Sequence, residues 1–486
     1  MTDSTKIVGK ECRFAIHIPT RSSDQPDVHL VKEVLHYEDG RIEPNIRFIK
    51  DMTRPFWVTK SMYRNHEQKK EREDLDKLTC FNSTQSNLRF RVAKALDKAY
   101  SPMQMNMLAD SPYLYGSDIS STSIIKHQYQ TKYPDTISMY SVAFFDIETD
   151  VVHGTNDPIM ATIVFKDKIF FTVQKSFYAG YSNPEERYFA AVKKYIQPYI
   201  DKHQFKIEMV IVEDPIELIR RCLEKLHEWI PDFVAIWNIG FDIPRLIETL
   251  EKYGHRPEDY FCYPKLPESM RFCKFKKGST KKITASGQVK PKNPSEQWHS
   301  LLCPAGFWFI DQMSSYRFVR LGGQEEQEYN LNYILTKVLG RGKLSFSEAD
   351  HLTGLQQHAF LQEKYPFEYS VYNNFDCIGA FELELETNDL STAVPTMAGI
   401  TDFTRFDSQT KRFADAYHYH LLEHNQSVIG TIPPTKKESE EEEADYIGDA
   451  DEDYVDGEEE GDDEETVAQK ADVLSLRNWI NKGVCW

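Results

Sequence analysis

The sequence predicts an α/β protein, and three observations carry that reading. Short apolar runs alternate with amphipathic stretches from residue 137 to 385, the pattern of strands and helices sharing one sheet. Hydrophobic residues make up 40% of the 486-residue chain and aromatic residues 13%, enough for real cores and too much for a wholly disordered chain. No apolar run approaches the roughly 18 residues that a membrane span needs, so no membrane partner is expected.

The length suggests about two to four domains. Residues 1–136 mix short apolar and charged stretches and read as an N-terminal α+β domain. Within them, Asn45 to Lys60 reads as strand, turn at Arg54-Pro55, strand, and the charged run His66 to Lys77 as an exposed helix. The α/β domain follows at 137–385. Ser141 to Phe145 is a buried-strand pattern. Met160 to Val164 and Ile169 to Val173 are the next strands, split by a Lys-Asp-Lys turn. Pro184 to Tyr199 and Pro215 to Ile230 have helical periodicity, Phe233 to Trp237 reads as a strand, and Ile243 to Tyr253 as the helix behind it. Residues 264–300, rich in Lys, Gly, Ser and Pro, read as an exposed loop or hairpin. Gly306 to Asp311 returns to strand, and Tyr365 to Glu386 is helical. A helical segment fills 386–437, with Phe403 to His424 as one long helix. An acidic linker at 438–470 and a short terminal segment at 471–486 complete the chain.

The charge is unevenly distributed. The chain has 58 Lys+Arg and 76 Asp+Glu, a net −18. Eighteen of the acids lie between Glu438 and Glu465, a window without Lys or Arg, which leaves 58 acids against 58 bases elsewhere. The body is neutral, so its acidic pI does not exclude a nucleic-acid partner. The acidic tract itself reads as a disordered, solvated spacer. The eight cysteines, at 12, 80, 222, 262, 273, 303, 377 and 485, form no Cys-x-x-Cys unit and no disulfide pattern, which fits a reducing compartment. The polar N-terminus Met1-Thr-Asp-Ser-Thr-Lys-Ile has no secretory character.

Three short motifs carry carboxylates. Asp146-Ile147-Glu148 follows the strand SVAFF, and residues two apart on a strand share a face. It reads either as a pair aimed into a site or as a solvated strand end. Asn238-Ile239-Gly240-Phe241-Asp242 joins a strand to a helix at the carboxyl edge of the sheet, where α/β sites gather. Asp242 alone is equally an ordinary helix N-cap. Tyr372-Asn373-Asn374-Phe375-Asp376 sets a phenol and a carboxylate four apart on one helix face, or simply packs an amphipathic helix. Together, Asp146, Glu148, Asp242 and Asp376 form an all-oxygen set, which selects magnesium or manganese over zinc. Without metal or protons, four crowded carboxylates repel. The stretch Arg271 to Lys282 adds six Lys/Arg with interleaved Phe, suited to phosphates and splayed bases or to a solvated surface.

Asp-x-Glu, Asn-x-x-Phe-Asp and Tyr-x-x-x-Asp, in this order, resemble the three motifs of the 3′→5′ proofreading exonuclease of family B DNA polymerases, most of all the T-even-like phage type. Gly116-Ser-Asp-Ile-Ser, Asp311, Tyr329-Asn330-Leu331 and Leu339-Gly340-Arg341-Gly342-Lys343 resemble the flanking stretches. The resemblance covers about 40–430. In T-even-like members, Asn and Phe of the second motif often have three residues between them; here two lie between Asn238 and Phe241. The resemblance implies a ribonuclease H-like exonuclease domain with a mixed sheet flanked by helices. It implies two divalent ions, Mg2+ or Mn2+, held by Asp146, Glu148, Asp242 and Asp376. Tyr372 would orient the nucleophilic water. Asn238 and Phe241 would position a single-stranded DNA 3′ end. Lys274, Lys276 and Lys277 would contact primer-template DNA from a hairpin.

A polymerase of this family also needs a palm. Its expected signatures, Ser-Leu-Tyr-Pro-Ser, Lys-x-x-x-Asn-Ser-x-Tyr-Gly and Asp-Thr-Asp, do not occur in this sequence, and the resemblance fades near Pro434. The expectation is therefore the exonuclease-bearing amino-terminal part of a split family B DNA polymerase, acting in DNA replication. A separate palm-bearing chain and a sliding clamp would be its partners. Its compartment would be the cytoplasm, that of an infected cell if the chain is viral. Val473, Leu474, Leu476, Trp479 and Ile480 could form a helical face for docking the partner, or the last residues could be a bare terminus. A stand-alone 3′→5′ exonuclease and a non-catalytic DNA-binding scaffold subunit are the competing readings.

Overall fold

A computed structural model describes residues 6–19, 26–98, 105–283, 288–349, 351–398 and 409–431. The acidic linker and the terminal segment expected at 438–486 lie outside the described residues. The chain is mixed α/β. It falls into two compact units, one formed by residues up to Arg54, Thr84–Ser86 and Ser120–Asp407, the other by Pro55–Ser83, Asn87–Ile119 and residues from Ser408 onward. The segment 1–136 is thus divided between the two. Among the described residues, no helix is long and apolar enough to cross a membrane.

The first unit is organised by a six-stranded mixed sheet. Its order is Lys206–Val212, Lys168–Gln174, Pro158–Phe165, Val142–Thr149, Phe233–Ile236, Trp308–Asp311. Val142–Thr149, Pro158–Phe165 and Lys168–Gln174 form an antiparallel meander. The other three strands pair in parallel at its two sides. All eight residues of Pro158–Phe165 are buried, as expected of a strand covered on both faces.

The covering helices can be assigned to faces. Phe170 and Phe171 are consecutive on a strand and so point to opposite sides. Phe171 stacks on Tyr188 of the helix Pro184–Tyr195, with ring centroids 4.8 Å apart. Phe170 lies under Lys225 of the helix Pro215–Trp229. That second helix starts as its sequence dictates. The Asp214 side chain accepts the Glu217 N–H, Pro215 occupies the first turn, and Leu218, Ile219, Cys222, Leu223 and Leu226 form the buried stripe. The 22-residue helix Pro366–Thr387 shares the Tyr188 side and crosses the strands Val142–Thr149 and Pro158–Phe165. The three-stranded antiparallel sheet Ile7–Ile18, Val28–Tyr37, Ile42–Lys50 joins the same core through Phe14, Ile16, Ile18, Val28 and Leu30.

In the second unit, Phe56, Val58, Leu88, Val92, Leu108 and Leu114 form one core cluster, and Trp57, Leu78, Tyr115 and Val428 another. Its strand Ser427–Ile429 pairs antiparallel with Arg72–Asp74.

Two expected elements differ. The run His66 to Lys77 is not a helix; it is irregular chain with the short strand Arg72–Asp74 and a 3-10 turn at Leu75–Lys77. Its charges leave no apolar stripe to bury, and they instead gather as Lys70 and Lys77 around the buried Glu73. The turn expected at Arg54-Pro55 falls at Asp51, in left-handed backbone at φ 51°, while Arg54 and Pro55 lie inside the strand Thr53–Thr59. Asp51 is fixed there by reciprocal bonds with the Asp27 backbone, one from each N–H. Of the helix expected at Phe403 to His424, Gln409–Glu423 is helical and 403–408 lie outside the described residues.

Phe171→Ala removes a fully buried stacked ring and is expected to lose about 3–5 kcal/mol, whereas Asp214→Ala removes one cap and should lose about 1 kcal/mol. Urea unfolding of the two variants measures the difference.

Candidate functional site

The strand Val142–Thr149 extends beyond the apolar run that predicted it and carries the first motif inside it. Ile147 is buried, while Asp146 and Glu148 are half-buried on the opposite face. The helix Pro366–Thr387 lies over that face. Its Tyr369, Tyr372 or Asn373, and Asp376 succeed one another at steps of three or four and share one side. Asp146, Glu148 and Asp376 thereby bring carboxylate oxygens within 4.8 Å of one another.

Asp242 stands beside this triad without joining it so closely. The helix begins at Ile239, so Asp242 sits within its first turn and Asn238 is the N-cap residue. The reading of Asp242 as an ordinary cap is therefore corrected. Its Oδ1 accepts the backbone N–H of Ile147, between Asp146 and Glu148, at 3.3 Å. Asp311 takes the place a cap would fill: its Oδ2 accepts the Ile239 N–H at 3.0 Å, and its Oδ1 accepts Ser314 N–H at 2.6 Å.

One cation answers these acids. Lys343 Nζ donates to Asp376 Oδ2 at 2.6 Å and to Tyr372 Oη at 3.2 Å. Local chemistry delivers it. Gly340, at φ 70°, ends the helix Leu331–Leu339 in left-handed backbone. A side chain at Gly342 would collide with Asn332 Oδ1, which sits 2.3 Å from the Cβ position. The same Asn332 oxygen accepts the Lys343 N–H at 2.8 Å. Next to it, Arg341 pairs with Glu382 and lies over the Phe375 ring at 4.6 Å.

Glu148 has its own surround. Tyr369 Oη donates to Glu148 Oε2, His358 Nδ1 lies 2.8 Å from that phenol, and Gln362 Nε2 donates to it at 3.2 Å. Asn373 Nδ2 donates to Asp146 Oδ2 at 2.6 Å. In the sequence Lys343 stands only in a flanking stretch, and Tyr369, Asn373, His358, Gln362 and Asp311 carry no role that local pattern reveals. Of these, Tyr369 alone has a positional signal, seven before Asp376 on one helix face. His358 and Gln362 sit on a different helix, Leu355–Lys364, with no local signal.

The electrostatics follow from burial. It pushes Glu148 up to about 8 and Asp242 to about 7, and raises Asp376 against the pull of Lys343. Asp146 is raised well above the usual carboxylate range, by burial first and then by the charges of Asp242, Glu148 and Asp376. Asp311 also rises to about 7, through burial. Burial opposes the Lys343 charge, but Asp376 and Tyr372 more than offset it and hold the ammonium well above its ordinary value. Asp376 Oδ1 is buried without a hydrogen-bond partner. An acidic triad of hard oxygens with an orphaned oxygen fits a metal ion.

Asn238 and Phe241 are exposed at the same helix start, Phe241 at 45%, with Arg245 5.7 Å from its ring. Lys274, Lys276 and Lys277 are exposed on or just after the strand Lys274–Lys276, which pairs antiparallel with Ser300–Leu302. The interleaved aromatics are not available for bases as the sequence suggested. Phe272 and Phe275 pack against the core, and Phe275 stacks on His299 at 5.9 Å. His299 in turn meets the second motif: its Nε2 lies 2.9 Å from where a Cβ on Gly240 would stand. No protein-family model matches the chain, and a search of curated proteins returns no match.

The raised acids set a pH dependence. An unperturbed carboxyl titrates near pH 4, so the metal-free folded protein keeps protons that the unfolded chain has released. That stabilisation is complete below about pH 4 and is lost as pH rises through about 7 to 8. In EDTA the melting temperature should therefore fall between about pH 6.5 and pH 8.5, and saturating Mg2+ should raise it more at the upper pH than at the lower. A Mg2+ effect independent of pH would exclude these acids as its binding groups.

Proposed function

We propose that this chain is the proofreading, 3′→5′ exonuclease-bearing part of a split family B DNA polymerase, and that its first unit is a ribonuclease H-like domain. The observation that carries this reading is the convergence of Asp146, Glu148 and Asp376 within 4.8 Å, beside Tyr372, Lys343 and Asp242. The sheet order supports the fold assignment, with an antiparallel three-strand meander extended in parallel on the side of Asp146. Composition alone does not supply this constellation; it depends on one strand, two helices and a Gly-flanked turn meeting at one point.

Asp146, Glu148 and Asp376 would hold divalent ions of the magnesium class, with Asp242 in support. Such ions, when bound, stabilise charge on the attacking and leaving oxygens of an in-line phosphoryl displacement. The protein's own groups do the rest. Lys343 donates to Tyr372 Oη, so the phenol oxygen acts as acceptor there, and the phenol, with its own proton as donor, could orient a water. The Lys343 ammonium also supplies a fixed positive charge beside Asp376, where negative charge accumulates on phosphate oxygens. Phe241 and Asn238, exposed at the entrance to Asp242, are available to the terminal nucleotide. The net reaction adds water across the last phosphodiester. The water oxygen bonds to phosphorus, the 3′ oxygen of the preceding nucleotide leaves with a proton, and a nucleoside monophosphate is released. The substrate is the single-stranded 3′ end of a primer-template, and the partners are a separate palm-bearing chain and a sliding clamp.

The test is release of mononucleotides from 3′-labelled single-stranded DNA by the full chain with Mg2+. Asp146→Ala/Glu148→Ala should abolish it, and Lys343→Ala should lower kcat by about 100-fold. No Mg2+-dependent release by the unaltered chain overturns the exonuclease. Primer extension that appears only when a palm-bearing chain is added tests the split polymerase.

Contact of DNA with the hairpin has a separate signature. Replacing Lys274, Lys276 and Lys277 with Ala should weaken single-stranded DNA binding and reduce the slope of log affinity against log salt by about two. An unchanged slope removes these lysines from the interface.

A further inference from the structure

The two asparagines between Tyr372 and Asp376 have no place in the chemistry described so far, yet both are fully buried. Consecutive asparagines are poor choices for a buried helix interior, because their amides compete with backbone bonds and need partners. Their partners form a single file. Tyr188 Oη donates to Asn374 Oδ1 at 2.6 Å, and Asn374 Nδ2 donates to Thr162 Oγ1 at 2.7 Å. Thr162 Oγ1 donates to Asn373 Oδ1 at 2.5 Å, and Asn373 Nδ2 donates to Asp146 Oδ2 at 2.6 Å.

The file runs one way. A threonine hydroxyl has one proton, and here it is committed to Asn373, so Asn374 must present its amide NH2 to Thr162 and its carbonyl to Tyr188. The far end is a carboxylate, which accepts. Tyr188, Asn374, Thr162 and Asn373 are each 0% exposed, so the three bonds among them are made in the interior, and only the last reaches the half-buried Asp146. The geometry that permits this is set by register: Thr162 is the cross-strand partner of Asp146, and both project toward the helix that carries the asparagines.

We infer that Thr162, Asn373, Asn374 and Tyr188 are positioning residues that orient Asp146 for its metal, through a head-to-tail relay anchored on the far helix Pro184–Tyr195. The inference rests on the reading of Asp146 as a metal ligand. Oδ2 is held by Asn373, which fixes the carboxylate rotamer and leaves Oδ1 uncommitted by that bond. Aligned hydrogen bonds polarise one another, so a break upstream weakens the last bond as well.

The test uses the full chain and Mn2+ alone, with binding followed by electron paramagnetic resonance beside thermal melts in EDTA. Thr162→Val keeps the shape and removes the hydroxyl, and it should weaken Mn2+ binding about 10-fold or more. Thr162→Ser restores the hydroxyl and should bind as the unaltered chain does. Tyr188→Phe removes only the first donor, four hydrogen bonds from the metal ligand, and should shift affinity in the same direction by less. Mn2+ affinity unchanged in a folded Thr162→Val overturns the relay, even if its melting temperature falls. If Thr162→Val does not fold, Tyr188→Phe decides: weaker Mn2+ binding supports the relay and unchanged binding overturns it. If Asp146→Ala binds Mn2+ as well as the unaltered chain, the metal reading of Asp146 fails, and the relay with it.

Discussion

The burial of like charge around Asp146 is the constraint on which the rest of the molecule turns. Asp146, Glu148, Asp242 and Asp376 are drawn into a space where each is desolvated, and Lys343 is the cation hydrogen-bonded to them. Carboxylates so arranged cannot all be ionised without a further positive charge. The metal-free fold resolves the conflict by holding protons, and a divalent ion would resolve it by displacing them. Each supporting feature can be read as tolerance of that strain. The strand Pro158–Phe165 is buried throughout, the 22-residue helix spans the strands, and Asp311 stabilises the helix start from which Asp242 projects.

Much of this was legible in the sequence because the informative pairs are local. Two carboxylates two apart after an apolar run specify a strand face, and a tyrosine four before an aspartate specifies a helix face. Those regularities hold for Asp146 with Glu148 and for Tyr372 with Asp376. At Asp242 the local signal was ambiguous, since an aspartate before Ile-Pro also looks like an N-cap. What defeats that reading is Asp311, 72 residues away in sequence, which takes the Ile239 N–H. Lys343 was out of reach for the same reason. Its role depends on Gly340 and Gly342 bending the chain past Asn332, and no periodicity encodes the destination of a turn.

The basic hairpin shows how composition misleads when packing is ignored. Lysines alternating with phenylalanines suggest stacking on bases, yet an alternating strand sends its two residue types to opposite sides. Here the phenylalanines go to the protein and the lysines to solvent. The aromatic side earns its position differently. Phe275 stacks on His299, and the imidazole occupies the space left by the missing side chain of Gly240. Gly240 is therefore required for a close approach rather than for a special backbone angle. The hairpin and the helix start bearing Asn238, Phe241 and Asp242 are in direct contact, so a load on one is felt by the other.

Net charge says little about such a surface. The 58 bases and 58 acids outside the acidic tract balance, but they are sorted in space. Acids converge at the triad, where Asp376 is buried and Asp146 and Glu148 are half-buried, while the lysines of the hairpin are exposed. A neutral total thus conceals exposed lysines on one strand and a cluster of acids at another point of the same unit. A local field would attract a polyanion, and local burial of hard oxygens would favour a divalent ion, whatever the net charge. On the reading proposed above, a nucleic-acid strand end, both polyanionic and metal-chelating, would satisfy the two demands at once. A ligand offering only one of them would leave either the lysines or the triad unanswered.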